Sequence, residues 1–457
     1  MELVGLVGAV VLLIILALHG VNIILASLLC SLVVVVTNGL PVAESMNQYF
    51  SFGPLGAFTF AGKFFLLFAT GAMFGRVMGE SHGAASIALA LVRMLGAHRA
   101  LWITTLACGL LTYAGVVVFV VIFAMYPLGL QLLQQANIPK RLFCAAISLG
   151  AATFTLTALP GTPSIHNVIS SVALGTDLFA GFWLGLVGGF MMFFLGIWYL
   201  ERQRIIAERQ GEGFMPSPGD NISDVDEGDY PHWILACLPL AAVLLTIILP
   251  RVLTLVLGPE ALAAETTAMD LLRFANQQPV LWPSLALVCG SLLAIALFAT
   301  VRRKALYVAG AGIQDSIVPL INTAAVIGFG GVVTQSAVFA DAIQWMLDSS
   351  LPPLVSVFVS ISLVSAITGS AAGGLQIFMQ SMAPSYVAMG VDVETLHRFA
   401  TMASGGFDSL PHSGGIVAML TITGLTHKQA YRDVGVVTVV VPVVTLLVLM
   451  TALTLIN

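Results

Sequence analysis

The chain is 457 residues long, 58% hydrophobic and only 9% charged, with a formal net charge of −5. Water-soluble domains carry about 25% charged residues, so this composition excludes a soluble globular enzyme and gives no footprint for nucleic acid. The five cysteines (Cys30, Cys108, Cys144, Cys237 and Cys289) stand singly in apolar runs without metal-ligand spacing, and read as small buried hydrophobes.

Residues 3–43 hold no Asp, Glu, Lys or Arg. A helix needs about 20 apolar residues to cross a bilayer core, and no stretch alternates as a transmembrane β-strand does. The N-terminus lacks a basic region before its apolar run, which reads as a retained helix. "GAFTFAGKF" (56–64) imitates a phosphate loop, but its glycines are one residue too far apart and Phe64 replaces Ser or Thr. ATP hydrolysis by this chain is therefore not expected. "FGRVMGES" follows at 74–81. Residues 100–139 are again uncharged, long enough for two crossings or a crossing plus a hairpin. "LPGTPSIHN" (159–167) places Pro160 and Pro163 where a helix should continue.

A charged, Gly- and Pro-rich segment, 201–230, reads as an exposed linker and divides the chain into similar halves. The second half carries "FGGVVTQS" at 329–336, an uncharged run 349–391 containing "TGSAAGG" (368–374), and "GGFDSLPHSGG" at 405–415. An uncharged run, 434–457, closes it. "FGRVMGES" and "FGGVVTQS" match at four positions with an offset of 255, and "LPGTPSIHN" shares Leu-Pro with "LPHSGGIVA" at an offset of 251.

Lys and Arg favour cytoplasmic loops. Arg202, Arg204 and Arg209 put the linker inside, Arg302, Arg303 and Lys304 put their loop inside, and Lys428 and Arg432 put the start of the final span inside. The corresponding "GTD" at 175–177 has no basic residue and is expected outside. The halves thus read as repeats of opposite topology. The same scheme places Lys140 and Arg141 outside.

In inverted-repeat transporters the site sits near the midplane, where broken helices meet. Their half-helix N-termini attract anions, and side chains at the break add hydrogen bonds. Thr162, Ser164 and Asn167 in the first break, with Ser409, His412 and Ser413 in the second, are the candidate substrate ligands. "TGSAAGG" is either close helix packing or a hairpin tip facing substrate, which would add Ser370. Asp408 is the most informative acid, because an intramembrane carboxylate is functional by default, although it can also cap a helix. His412 and His166 join it as candidate ion-coupling groups. Asp408, Ser409 and His412 lie too close along the chain for a hydrolase triad, and there is no G-x-S-x-G or HExxH motif. An intramembrane hydrolase is therefore only a distant alternative.

"GAMFGRVMGESHGAASIA" (71–88), "TGSAAGG" and "FDSLPHSGGIVAMLTITGLTHKQAYRDV" (407–434) resemble the gluconate permease (GntP-type) family of the ion transporter superfamily. "FDSLPHSGG" resembles the 3-hydroxybutyrate-type branch. The resemblance implies an all-α polytopic inner (plasma) membrane protein of two inverted-topology repeats with broken helices and re-entrant hairpins. It also implies a possible homodimer with elevator-type motion. The expected domains are a repeat at 1–200, a cytoplasmic linker at 201–231 and a repeat at 232–457. The expected activity is symport of a proton with a small hydroxy-monocarboxylate such as 3-hydroxybutyrate or gluconate. The alternative is a sodium-coupled di- or tricarboxylate transporter. No cofactor or metal site is expected.

Overall fold

The computed structural model describes residues 2–96, 99–116, 118–216, 230–262, 266–347, 351–411 and 413–456. Their regular structure is all helical, as it must be where the bilayer offers the backbone no hydrogen bonds. Among the described residues, six stretches are long and apolar enough to cross: Val42–Glu80, Lys140–Ala158, Phe182–Arg209, Trp233–Leu257, Ala305–Val333 and His427–Leu455. Thr267–Gln277 and Leu281–Leu297, bent by 103°, add a seventh if taken as one span. The protein is an all-α polytopic membrane protein.

The first half runs α1 (Glu2–Leu18), α2 (Ile23–Thr37), α3 (Val42–Glu44) with a π-helical extension Ser45–Phe52, α4 (Ala57–Glu80) and α5 (Gly83–Leu95). It continues with α6 (Ala100–Tyr113), α7 (Val118–Ala136), α8 (Lys140–Ile147) with π-helical Ser148–Ala158, α9 (Ile165–Leu174) and α10 (Phe182–Arg209). The second half opens with α11 (Trp233–Leu262), α12 (Thr267–Gln277), α13 (Leu281–Leu297), α14 (Ala299–Arg302), α15 (Ala305–Asp315), α16 (Ile317–Val333) and α17 (Ala337–Leu347). Then come α18 (Pro353–Thr368), α19 (Ala371–Ser381), α20 (Ala383–Ala388), α21 (Val393–Phe407) and α22 (Gly414–Thr423). Last are α23 (His427–Gly435) with π-helical Val436–Val440, and α24 (Val441–Ile456).

Helix α4 packs antiparallel against α15 and α16 along its whole length. Lys304 meets Glu80 at 2.7 Å at one end. Gly312 lies against Met73 midway, and Gly328 against Phe50 and Ala57 at the other end. A Cβ on Gly312 would stand 2.7 Å from Met73 Cα, and one on Gly328 2.5 Å from Phe50 O, so glycine is what permits this approach. "FGRVMGES" and "FGGVVTQS" therefore sit at opposite ends of one helix pair.

Charged side chains sort the two faces. Where α10 leads into the linker, Arg141 donates to Glu212 at 2.7 and 2.8 Å and to Asp433, which also accepts from the Tyr199 hydroxyl at 2.7 Å. Where the linker returns, the rings of Tyr230 and His82 stack at 5.0 Å, beside the Glu80–Lys304 pair. At the other end of α10, Asp177 pairs with Arg251 at 2.6 Å and Gly181 N–H meets Glu394 at 3.4 Å.

This geometry corrects the expected placement of Lys140 and Arg141. They lie on the linker's face, not the far one. The chain between α6 and α8 returns to the face it left: α6 runs alongside α8 in the same direction, with Thr105 bonded to Ala146 O and Tyr113 to Pro160 O. Asn137, just after α7, accepts from Phe214 N–H at 3.0 Å on the linker side. The pair α6–α7 is a re-entrant hairpin. Counting it as a hairpin brings these two basic residues to the face of the other basic loops.

The Arg141 guanidinium holds the Glu212 carboxyl below its ordinary range. That contact contributes stability above the usual carboxylate pKa of about 4.3 and is lost only as pH falls through the lowered value. Asp433 matters more, because its side chain is 2% exposed against 34% for Glu212. Asp433→Ala removes a buried acceptor from two half-buried donors, Arg141 and Tyr199, and is expected to cost about 1–3 kcal/mol. Glu212→Ala is expected to cost about 0–1 kcal/mol. Thermal unfolding in detergent measures both, and equal shifts would refute this ranking.

Candidate functional site

Four interruptions of helix build the site. In the first hairpin, α6 ends at Tyr113 and the chain turns through Gly115 at φ +93° into α7. A Cβ there would stand 2.8 Å from Leu287 and 2.9 Å from Pro163. In the second hairpin, α18 ends on Gly369 in the left-handed region, φ +58°, and Ser370 caps α19 by accepting from Gly373 N–H at 3.1 Å. "TGSAAGG" is thus a hairpin tip.

The other two interruptions are the broken helices. After Ala158, Pro160 and Pro163 remove donors, and Gly161 supplies φ +81°. Ser164 restarts the helix: its hydroxyl donates to Leu156 O at 2.8 Å and accepts from Asn167 N–H at 3.3 Å. In the second half α21 kinks at Gly405 and ends at Phe407, and α22 begins at Gly414.

All four converge on one cavity of about 1520 Å³. Helices α7, α9, α19 and α22 begin on its wall, at Val118, Ile165, Ala371 and Gly414. A helix start presents first-turn N–H groups and the positive end of its dipole; at α9 and α19 the serines Ser164 and Ser370 each cap one of these N–H groups. Among the described lining residues, four buried polar atoms lack a hydrogen-bond partner: Arg76 Nε, Thr112 Oγ1, His166 Nδ1 and Asn322 Oδ1. Asp408 receives the Ser409 hydroxyl at 3.0 Å, and the Ala371 N–H of the opposing tip points at its carboxylate. The cavity extends to the linker's face, where Glu80, His82 and Tyr230 line it. Arg76, also on the wall, is held by Glu80 at 3.3 Å and Asp315 at 3.1 Å.

Of the residues expected from sequence, Ser164, His166, Ser370, Asp408, Ser409 and Ser413 lie on this one wall. Thr162 and Asn167 do not. Thr162 is fully buried. Asn167 donates to Thr162 O and Leu178 O, both at 2.9 Å, and its oxygen meets His397 Nε2 at 2.8 Å. Asn167 therefore holds the first break together instead of facing the cavity. His412 lies outside the described residues. The first hairpin tip, with Thr112 and Gly115, and Asn322 on α16 were not found from sequence. The signal for the tip is weak: Gly115 is one of three glycines in an uncharged run of 40 residues, which is long enough for two crossings as well as for a crossing plus a hairpin.

The family model for GntP family permeases matches residues 1–456. The chain belongs to the GntP permease family. It is 35% identical over 469 residues to the "uncharacterized transporter YxjC" of Bacillus subtilis (strain 168), covering 96% of each chain. Two solved structures share the fold. One is the YdaH transporter of Alcanivorax borkumensis, with a TM-score of 0.51 and 15% identity, covering 86% of this chain and 85% of that one. The other is MtrF of Neisseria gonorrhoeae, described among antimetabolite efflux pumps, with a TM-score of 0.51 and 14% identity, covering 92% and 83%. This permease is accordingly a multi-pass transporter of the plasma membrane.

Because Asn167 is structural and Ser413 lines the cavity, their alanine variants should separate. Asn167→Ala breaks three buried hydrogen bonds and is expected to lower stability by about 2 kcal/mol or more. Ser413→Ala is expected to stay within about 0.5 kcal/mol. Parallel thermal unfolding checks the contrast, and a stable Asn167→Ala protein would contradict it.

Proposed function

We propose that this permease couples a proton to the symport of a small hydroxy-monocarboxylate of the 3-hydroxybutyrate or gluconate type. The single observation that carries the reading is the start of four helices on one cavity wall. Such a wall attracts one carboxylate through N–H groups and dipoles. The hydroxyls of Ser164, Ser370, Ser409 and Ser413 suit a substrate that carries hydroxyl groups of its own. Neither broken segment holds Lys or Arg, and Arg76 is already engaged by two carboxylates. That favours a monoacid over a di- or triacid.

The architecture proposed is two inverted repeats, 1–200 and 232–457, joined by the cytoplasmic linker 201–231. Each would carry one hairpin and one broken helix. The placement of "FGRVMGES" and "FGGVVTQS" at opposite ends of the α4–α16 pair supports it, as does the order of elements in the two halves. With the basic loops inside, a cavity that extends to the linker's face is an inward-facing state of alternating access.

Asp408 is the proposed proton carrier, as an unpaired acid on the cavity wall among the described residues. Proteoliposomes should accumulate radiolabelled 3-hydroxybutyrate or gluconate under an inwardly directed proton gradient. Asp408→Asn should abolish that accumulation while counterflow exchange of internal and external substrate continues. Uptake that needs sodium, ignores pH and survives Asp408→Asn would replace the proton with sodium. Hydrolysis of an ester or peptide without any uptake would remove the transport reading itself.

A further inference from the structure

The two broken helices end on opposite charges. The first ends at Ala158, and a helix C-terminus carries partial negative charge on its free carbonyls. Arg398, from α21 in the other half, lies against it. Its guanidinium donates to Ala158 O at 3.3 Å, Leu178 O at 3.0 Å and Ala180 O at 3.0 Å. The side chain is fully buried and has no ion pair among the described residues, since Asp177 is taken by Arg251. Two glycines make room for it. A Cβ on Gly181 would stand 2.5 Å from Arg398 Cβ, and one on Gly185 2.8 Å from its Cδ. Other oxygens of this break are also taken: Pro160 O by the Tyr113 hydroxyl and Thr162 O by Asn167.

The second break is the reverse. Helix α21 ends at Phe407, and the next residue is Asp408. An acid at a helix C-terminus is disfavoured by the dipole, and an acid inside the membrane is costly without a cation. Among the described residues Asp408 receives neutral donors: the Ser409 hydroxyl, the Ala371 N–H and the backbone N–H groups of Asp408 and Ser409. It faces the cavity, whereas Arg398 does not line it.

Carbonyls at unwound segments and half-helix C-termini are where such transporters hold coupling cations. We propose that Arg398 is a built-in cation that fills the first of two such positions, so that each transport cycle carries one mobile cation, at Asp408. The count of mobile cations rests on the transport reading above; the role of Arg398 as a fixed cation does not. A monocarboxylate moving with one proton crosses without net charge. The first break is thereby a rigid, permanently neutralised joint, and the second is the one that loads and unloads.

Two experiments test this on the full-length protein. The first is thermal unfolding of Arg398→Ala, Arg398→Gln and Arg398→Lys in detergent. Arg398→Ala should lose thermal stability and regain at least half of the loss with millimolar guanidinium ion, but not with choline. Arg398→Lys should be clearly more stable than the neutral Arg398→Gln. Equal rescue by both ions overturns the proposal, and so does equal stability of the Lys and Gln variants, which stays readable if the Ala variant fails to fold. The second experiment measures substrate accumulation in proteoliposomes against imposed proton gradients of increasing size. A tenfold gradient should give a tenfold limiting accumulation, unaffected by membrane voltage. A hundredfold limit, or voltage dependence, would mean two mobile cations and overturn the count. If no acid is taken up at all, the transport reading falls while the thermal data still decide the role of Arg398.

Discussion

The rest of this structure depends on one constraint: backbone N–H and C=O groups in hydrocarbon have no water to bond. Most of the chain meets it by staying helical. Four short interruptions do not, and each is surrounded by protein or faces the cavity. At the first break Ala158 O, Pro160 O and Thr162 O accept from Arg398, Tyr113 and Asn167. At the second, Tyr431 donates to Ser409 O at 3.1 Å and His427 meets Pro411 O at 2.8 Å. The remaining N–H groups at the helix starts are left for the cavity. The requirement that makes broken helices expensive thus also concentrates binding capacity in one place.

The same constraint explains the glycines that matter. Gly115, Gly161 and Gly369 adopt positive φ at turns where the chain reverses or unwinds. Gly312 and Gly328 allow α15 and α16 to lie on α4. Without tight packing there, the unbroken helices would not frame a cavity between themselves and the two hairpins. Unbroken long helices on one side and interrupted ones on the other divide the wall into two parts. Asn322 and Arg76 belong to the first, and Asp408, His166 and the serines to the second.

Charge is used sparingly and mostly at the faces. The Arg141–Glu212–Asp433–Tyr199 network ties α8, α10, α23 and the start of the linker together. The Arg76–Glu80–Asp315–Lys304 cluster does the same for α4, α15 and the loop before it. Both lie on one side of the molecule, which is why basic residues scattered along the sequence report a common face. Away from those two networks, Arg398 and Asp408 are charges of opposite sign, and each stands beside a helix break.

The sequence by itself determined the all-α membrane class, because uncharged runs such as 3–43 and 434–457 have few alternatives in water or lipid. It also determined where helices break, since Pro160, Pro163 and the glycines of 405–415 act locally through missing donors and permitted φ. Serines and the acid beside those breaks were legible for the same reason. Tertiary structure decided what local chemistry cannot reach. Asn167 looks like a ligand in sequence but is consumed by His397 and two carbonyls. Arg398 looks like one charge in an ordinary helix, yet its oxygen partners come from residues more than 200 positions away. Nothing in the uncharged run 100–139 singles out Gly115 as a hairpin tip, so the charge rule alone places Lys140 and Arg141 on the wrong face. A hairpin and a pair of spans have the same composition, and only the packing of α6 beside α8 distinguishes a chain that turns back from one that crosses.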